Sequence, residues 1–159
     1  MSLATLLLAA AALFGPPYIS IELPPNPYDR TTAGAFLLVH TFHHDNETGL
    51  TVSGRAEGIV GGKRVSQPLA LEKTSRPGVY ALRKSWSDDG VWTLVLTVDQ
   101  GGPREWAVAE AMVEVARGGK VVGVSVPREP KGDQRFADGR FPRAVSAREV
   151  DLALSALAR

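Results

Sequence analysis

Short segments in which every second residue is hydrophobic recur along this chain, and they limit the folds it can adopt more than any other feature. In the segment 91–98, the side chains of Trp92, Leu94, Leu96 and Val98 share one face. A period of two residues is typical of a β-strand. About seven or eight such segments follow one another at a spacing of about ten residues, without a helical crossover between them. The pattern predicts an all-β protein whose architecture is an antiparallel sandwich or a barrel.

Glycine, proline and aspartate separate these segments, as expected of the turns in an antiparallel sheet. The predicted strands are Tyr18–Leu23, Ala35–Phe42, Leu50–Val60, Arg64–Thr74, Val79–Trp86, Val91–Val98, Trp106–Val115 and Lys120–Val126. Prolines on both sides of the first strand place it at the edge of a sheet. The second strand is hydrophobic on both faces, which predicts a central position in its sheet.

The order of these segments predicts one β-domain with appendages. Residues 1–15 are predicted to be a signal peptide or an apolar N-terminal segment, 16–127 the sandwich, 128–145 a polar linker and 146–159 a C-terminal amphipathic helix. Ser146 and Glu149 have the spacing of a capping box, which marks the start of that helix. We expect the helix to pack on the sandwich, with docking on another protein as the alternative.

The apolar run from Leu3 to Phe14 bears on localisation. About 12 residues are too few to cross a bilayer, which needs about 20, but they suit the core of a signal peptide. The sequence therefore predicts export to the periplasm or cell envelope, with membrane contact only if the segment stays uncleaved. The alternatives are a wrongly assigned start site and an apolar arm that packs on the domain.

Composition and charge exclude several classes of function. The formal net charge is +1, and no run of lysine and arginine is interleaved with aromatic residues, so we expect no nucleic-acid partner. The chain has no cysteine, which excludes disulfides, thiolate metal sites and thiol nucleophiles. The domain must therefore be held together by its hydrophobic core.

The segments 77–80 and 90–96 carry a resemblance to known domains. In the first, a glycine-x-tyrosine turn leads into a strand, and in the second a glycine-x-tryptophan strand follows. They resemble bacterial exported immunoglobulin-like domains of the YtkA-like and CopC-like kind. The resemblance implies an immunoglobulin-like antiparallel β-sandwich, here of about seven or eight strands with a short C-terminal helix. Some relatives of this kind bind copper through histidine and methionine clusters. This chain has two methionines, and that departure weighs against copper handling.

All three histidines lie within one pentapeptide, as His40, His43 and His44. Imidazoles bind copper, zinc and nickel, so the three are candidate metal ligands. In an extended strand, His40 and His44 would share a face but lie about 13 Å apart, and His43 would point to the opposite face. A shared metal would therefore require the chain to turn immediately after Phe42. The alternative is structural, with a half-buried His40 bonded to a polar partner and the other two at a strand end.

Acidic residues at two turns are candidates for acid–base catalysis or calcium binding, namely Asp45, Glu47, Asp88 and Asp89. Turns favour such residues because their carboxylates bond to nearby backbone groups, so we expect a structural role. The loop 58–63 is similar to a phosphate-binding loop, but it is one residue too short and precedes no predicted helix.

Three tryptophans are candidates for a ligand platform. The alternation of its strand places Trp92 in the core. Trp86 and Trp106 lie near strand ends, and for them a binding surface and a structural role both stay open.

These observations predict a fold but assign no catalytic residue and no cofactor. We therefore expect a non-enzymatic exported binding or assembly module of the cell envelope, whose partner is another envelope protein. The first alternative is a periplasmic copper- or zinc-binding protein that uses His40, His43 and His44. The second is a small hydrolase whose site assembles from residues that sequence does not pair.

Overall fold

The computed structural model describes residues 15–101, 107–130 and 140–159. Within these ranges the chain forms β-strands, one 3-10 turn at Arg30–Thr32 and one α-helix at Ala147–Leu157. In chain order the strands are β1 (Tyr18–Glu22), β2 (Leu37–His43), β3 (Asn46–Glu47), β4 (Thr51–Val60), β5 (Lys63–Pro68), β6 (Leu71–Lys73), β7 (Val79–Leu82), β8 (Val91–Asp99), β9 (Val108–Val115), β10 (Val121–Ser125), β11 (Arg128–Pro130) and β12 (Arg140–Pro142).

The two main sheets are antiparallel and pack face to face. In the first sheet the order is β1-β2-β7-β6, with β3 paired to the end of β2. In the second the order is β10-β9-β8-β4-β5. These are the A-B-E-D and G-F-C-C′ orders of the immunoglobulin fold, with β10 added beyond the G strand. The prediction of an all-β, immunoglobulin-like sandwich with a short C-terminal helix is confirmed.

The first two strands lie where the sequence places them. Strand β1 pairs with β2 alone and forms an edge of its sheet, as its flanking prolines predict. Strand β2 lies between β1 and β7, and its residues 37–41 are buried. The central position that we predicted from the two hydrophobic faces of this strand is therefore confirmed.

The predicted strand Arg64–Thr74 is divided between the two sheets. Its first part forms β5, which ends at Pro68 on the edge of the second sheet. Its second part forms β6, which begins at Leu71 and pairs with β7 in the first sheet. Pro68 has no backbone N–H to donate. Leu69 N still donates to Gly54 O at 2.9 Å, and the chain then crosses to the other sheet.

Three short strands add to those that the sequence predicts. Strand β3 has two residues, and β11 and β12 have three each and pair only with each other. The last two lie within 128–145, where we expected a polar linker, and Phe141 and Val145 in that segment are buried. The start of the strand predicted from Trp106 and the apolar segment 1–14 lie outside the described residues.

The main core lies between the two sheets. Its fully buried side chains come from both, for example Leu37 and Leu82 from the first sheet and Leu94 from the second. Trp92 lies among them and is 2% exposed. Its indole covers Gly58 on the neighbouring strand, where an added Cβ would lie 2.3 Å from an indole carbon. Glycine is therefore required at this close approach.

The C-terminal helix covers the outer face of the second sheet. Val150, Ala153 and Leu154 pack on Val91 and Val95 of β8, which confirms that the helix packs on the sandwich. The capping box at Ser146 and Glu149 is present, as predicted. None of the helical segments in the described ranges has the length and hydrophobicity that a bilayer crossing requires.

Candidate functional site

The strand alternation of β2 separates His40 from His43. Because Leu37 and Val39 point into the core, His40 lies on the outer face of the first sheet and His43 on the opposite side. The chain then turns at His44 and Asp45, whose φ angles of 49° and 63° are those of a two-residue hairpin that leads into β3. This turn comes after His43, one residue later than a shared site for all three histidines requires.

His40 is buried between two carboxylates. Its Nδ1 lies 2.6 Å from Glu47 Oε1 and its Nε2 lies 2.9 Å from Glu22 Oε2, and the side chain is 11% exposed. An ionised carboxylate only accepts hydrogen bonds, so both contacts are satisfied together when both ring nitrogens donate. A buried His40 was expected to need one polar partner, and the structure provides two, Glu22 and Glu47.

The two carboxylates join His40 to the surrounding elements. Glu22 Oε1 also accepts the backbone N–H of Asn26 at 2.9 Å, and Arg76 Nη2 lies 3.4 Å from Glu47 Oε1. The hydrogen bond from the His40 ring is the main reason why the pKa of Glu47 lies below its usual value. The two carboxylates contact different nitrogens of the His40 ring, so the three side chains are not arranged around one metal position. Across the described ranges, no group of three histidine or acidic side chains is arranged to hold a metal.

His43 and His44 form a second cluster around the backbone of Gly15. The two ring centroids lie 4.2 Å apart, with the ring planes at 75°. Gln100 Nε2 donates a hydrogen bond to the Gly15 carbonyl at 2.9 Å. Burial, and then the neighbouring His44, lower the pKa of His43. A side chain at Gly15 would come within 3.0 Å of the His44 ring, so these groups are in close contact.

The loop after β1 presents an exposed aromatic side chain that sequence reasoning missed. Tyr28 is 91% exposed. Its backbone N–H donates to Asn26 Oδ1 at 3.0 Å, and Asp29 N donates to Asn26 O at 3.1 Å. Asp29 in turn accepts from Thr31 N at 2.9 Å, and the hydrogen bonds from Thr31 lower the pKa of Asp29. The sequence Asn-Pro-Tyr-Asp at 26–29 could have predicted this turn, because Asn and Asp side chains favour such turns.

The other candidates take structural positions. Trp92 is in the core, as predicted. Trp86 is 5% exposed, and its ring packs edge-to-face on that of Phe36 with the ring centroids 4.9 Å apart. Trp86 is thus no surface platform, and Trp106 lies outside the described residues. The loop 58–63 is the β4–β5 hairpin. Asp88 contacts Lys84 within its own turn.

Comparison of the chain with protein-family models, with characterised proteins and with solved structures found no match. The resemblance to YtkA-like and CopC-like domains therefore stays a prediction.

Proposed function

We propose that this chain is a non-enzymatic binding module, exported to the cell envelope, that holds another envelope protein through the loop 23–32. The observation that carries this proposal is the exposure of Tyr28 on a loop whose backbone is held by its own hydrogen bonds. Tyrosine is among the residues that most often dominate protein interfaces, because its ring supplies a large contact area with few rotatable bonds.

The hydrogen bonds of this loop lower the cost of binding. Asn26 and Asp29 fix the backbone on both sides of Tyr28, and the Asn26 N–H is bonded to Glu22 on β1. A loop ordered before it meets its partner loses less conformational entropy on binding. The backbone of Tyr28 is thus held in one conformation close to the end of β1.

Charges near Tyr28 favour a partner with an acidic rim around an apolar pocket. Arg30 is exposed on the same loop, and Arg76 lies close enough to Asp29 to lower the pKa of that carboxyl. Rim charges of this kind guide partners into register more than they add affinity. The formal net charge of +1 gives no support to a nucleic-acid partner.

The state of His40 supports a non-enzymatic role. Both of its ring nitrogens are bonded to carboxylates, so neither is left to accept a proton from a substrate. Glu22 and Glu47, its two partners, are held by the same contacts. Among the described residues, none of these contacts favours the small-hydrolase alternative.

The test compares two variants of the full chain, Tyr28→Ala and Leu152→Ala, by affinity capture from the envelope of the source cell. Leu152 is 60% exposed on the C-terminal helix and serves as the matched control. We expect Tyr28→Ala to weaken partner binding by about tenfold or more, as loss of an interface anchor does. The Leu152→Ala variant should bind as the unaltered chain does, and both should remain in the envelope fraction. Equal capture by both variants would contradict the role of this loop, and recovery of the chain in the cytoplasm would contradict export.

A further inference from the structure

Strand β10 forms one outer edge of the second sheet and carries exposed hydrophobic side chains. Within the described ranges it pairs with β9 alone, irregularly between Val121 and Gly123 and regularly from there to Ser125. Val122 is 53% exposed and Val124 is 48% exposed. An exposed edge strand with hydrophobic side chains is a template on which a further strand can pair.

Charge distinguishes β10 from the other outer strands of the two main sheets. Each of the others contains a charged side chain, namely Glu22 in β1, Lys63 and Arg64 in β5, and Glu72 and Lys73 in β6. Strand β10 has the sequence Val-Val-Gly-Val-Ser and no charged side chain. Charges on edge strands oppose edge-to-edge association. Strand β10 therefore lacks a protection that the other three edges have.

The uncharged sequence of β10 suits pairing with a second copy of the same strand. Two identical strands that pair about a twofold axis are antiparallel, and each residue faces one at the same distance beyond the axis. With the axis at Gly123, Val122 of each chain lies opposite Val124 of the other. These four valines share one face of the joined sheet, because they alternate with Gly123. Cross-strand pairs of β-branched side chains stabilise such a sheet.

The charged residues on either side of β10 favour this register over its neighbours. With the axis at Gly123, Lys120 of each chain faces Val126 of the other, outside the strand. An axis one residue earlier places Lys120 opposite the exposed Val124. An axis one residue later places Lys120 opposite Arg128, and like charges directly opposite each other destabilise a sheet.

We propose that two copies of this chain associate through their β10 edges, antiparallel and centred at Gly123, so that their second sheets become continuous. The paired segment is short, so the association is weak and depends on concentration. The edge lies in the second sheet, whereas the loop that carries Tyr28 follows β1 in the first sheet. The inference therefore goes beyond the proposed function and does not depend on it.

The first test is sedimentation velocity of the full chain over a range of concentrations. We expect a monomer–dimer equilibrium with a Kd of about 100 μM or tighter. Val124→Lys should weaken it about tenfold or more, because it places a charge on the paired edge. Leu152→Lys is the matched control, since Leu152 is 60% exposed on the C-terminal helix, and it should associate as the unaltered chain does. A chain that stays monomeric up to about 1 mM, or equal weakening by both variants, would overturn the proposal.

Disulfide cross-linking tests the register. The chain has no cysteine, so each introduced thiol reports only its own contacts. A mixture of Val122→Cys and Val124→Cys chains should form linked dimers, because opposite Cα atoms lie about 4.5–5.5 Å apart, within the span of a disulfide. Val122→Cys alone should link more slowly, since its two copies are diagonal neighbours about 7–8 Å apart. Linking of the mixture no faster than that of a Leu152→Cys chain would contradict pairing of the two edges.

Discussion

At the scale of single residues, the contact of His40 with Glu22 and Glu47 is the main polar feature beneath the surface of the first sheet. The three side chains come from β2, β1 and β3, so one imidazole links three adjacent strands. Sequence indicated that a buried His40 needs a polar partner, but its partners are 18 and 7 residues away. Only the strand pairing brings them together, which local pattern does not specify.

Replacing His40 with glutamine should destabilise the protein at neutral pH. The change removes the ring that bonds both carboxylates and leaves Glu22 and Glu47 partly buried without these contacts, so we expect a loss of about 1–3 kcal/mol in the free energy of unfolding. Urea denaturation followed by tryptophan fluorescence measures this quantity.

The cost of His40→Gln should depend on pH in a defined direction. The lowered pKa of Glu47 means that its contribution to stability is present above the ordinary carboxyl pKa and is lost as the pH falls through the lower value in the folded protein. The difference between the two proteins should therefore shrink from pH 6 towards about pH 3. A difference that stays constant over this range would show that the hydrogen bond to Glu47 contributes nothing.

At the scale of elements, the C-terminal helix begins with a dense set of polar contacts. Arg143 forms two hydrogen bonds with Glu149, at 2.7 and 2.8 Å, and Ser146 completes the capping box with the same carboxylate. Together these contacts hold the pKa of Glu149 at about 2, with the Arg143 hydrogen bonds as the largest cause. Their stabilising effect is present above about pH 4.5 and is lost as the pH falls towards about 2.

Two serine-to-alanine changes in this helix should have opposite effects. Ser146→Ala removes the N-cap, so we expect a loss of about 1 kcal/mol in the free energy of unfolding. Ser155 is exposed in the helix interior, where alanine has the higher helix propensity, so Ser155→Ala should be neutral or stabilising by a few tenths of a kcal/mol. Chemical denaturation compares the two, and a similar loss in both would argue against the cap.

The strands and the helix start could be predicted from sequence because their signals are local. Alternation defines β8, and the Ser146–Glu149 spacing defines the helix start. The crossing between β5 and β6 was missed because the hydrophobic pattern continues from one sheet into the other. Strands β11 and β12 were missed because their residues are mainly charged or proline and lack the alternating hydrophobic pattern.

At the scale of the whole molecule, stability comes from hydrophobic packing, because the chain has no cysteine. The largest cluster is shared by both sheets. The fold class could be predicted because alternation gives each strand one hydrophobic face. A second sheet is then required to cover these faces. The separation of the three histidines was only partly predictable. Alternation placed His40 and His43 on opposite faces, but the position of the turn at His44 and the contacts with Gly15 depend on tertiary structure.

Loss of one core side chain should therefore weaken both sheets together. Leu94 is fully buried between them, and Leu94→Ala should cost about 2–5 kcal/mol because it leaves a cavity. The exposed Leu152→Ala should change stability by no more than about 0.5 kcal/mol. Far-ultraviolet circular dichroism and tryptophan fluorescence should report the same unfolding midpoint for the Leu94 variant. Two separate midpoints would indicate that the sheets unfold independently.

The packing of Gly15 against His44 has a practical consequence for anyone who purifies this protein. An affinity tag fused directly ahead of Pro16 would replace Gly15 and change its contacts with the His44 ring and Gln100. The other end of the chain, Arg159, is exposed beyond a helix that lies on the outer face of the second sheet. A removable tag placed after Arg159 would leave the contacts between Gly15 and the β2–β3 turn unchanged.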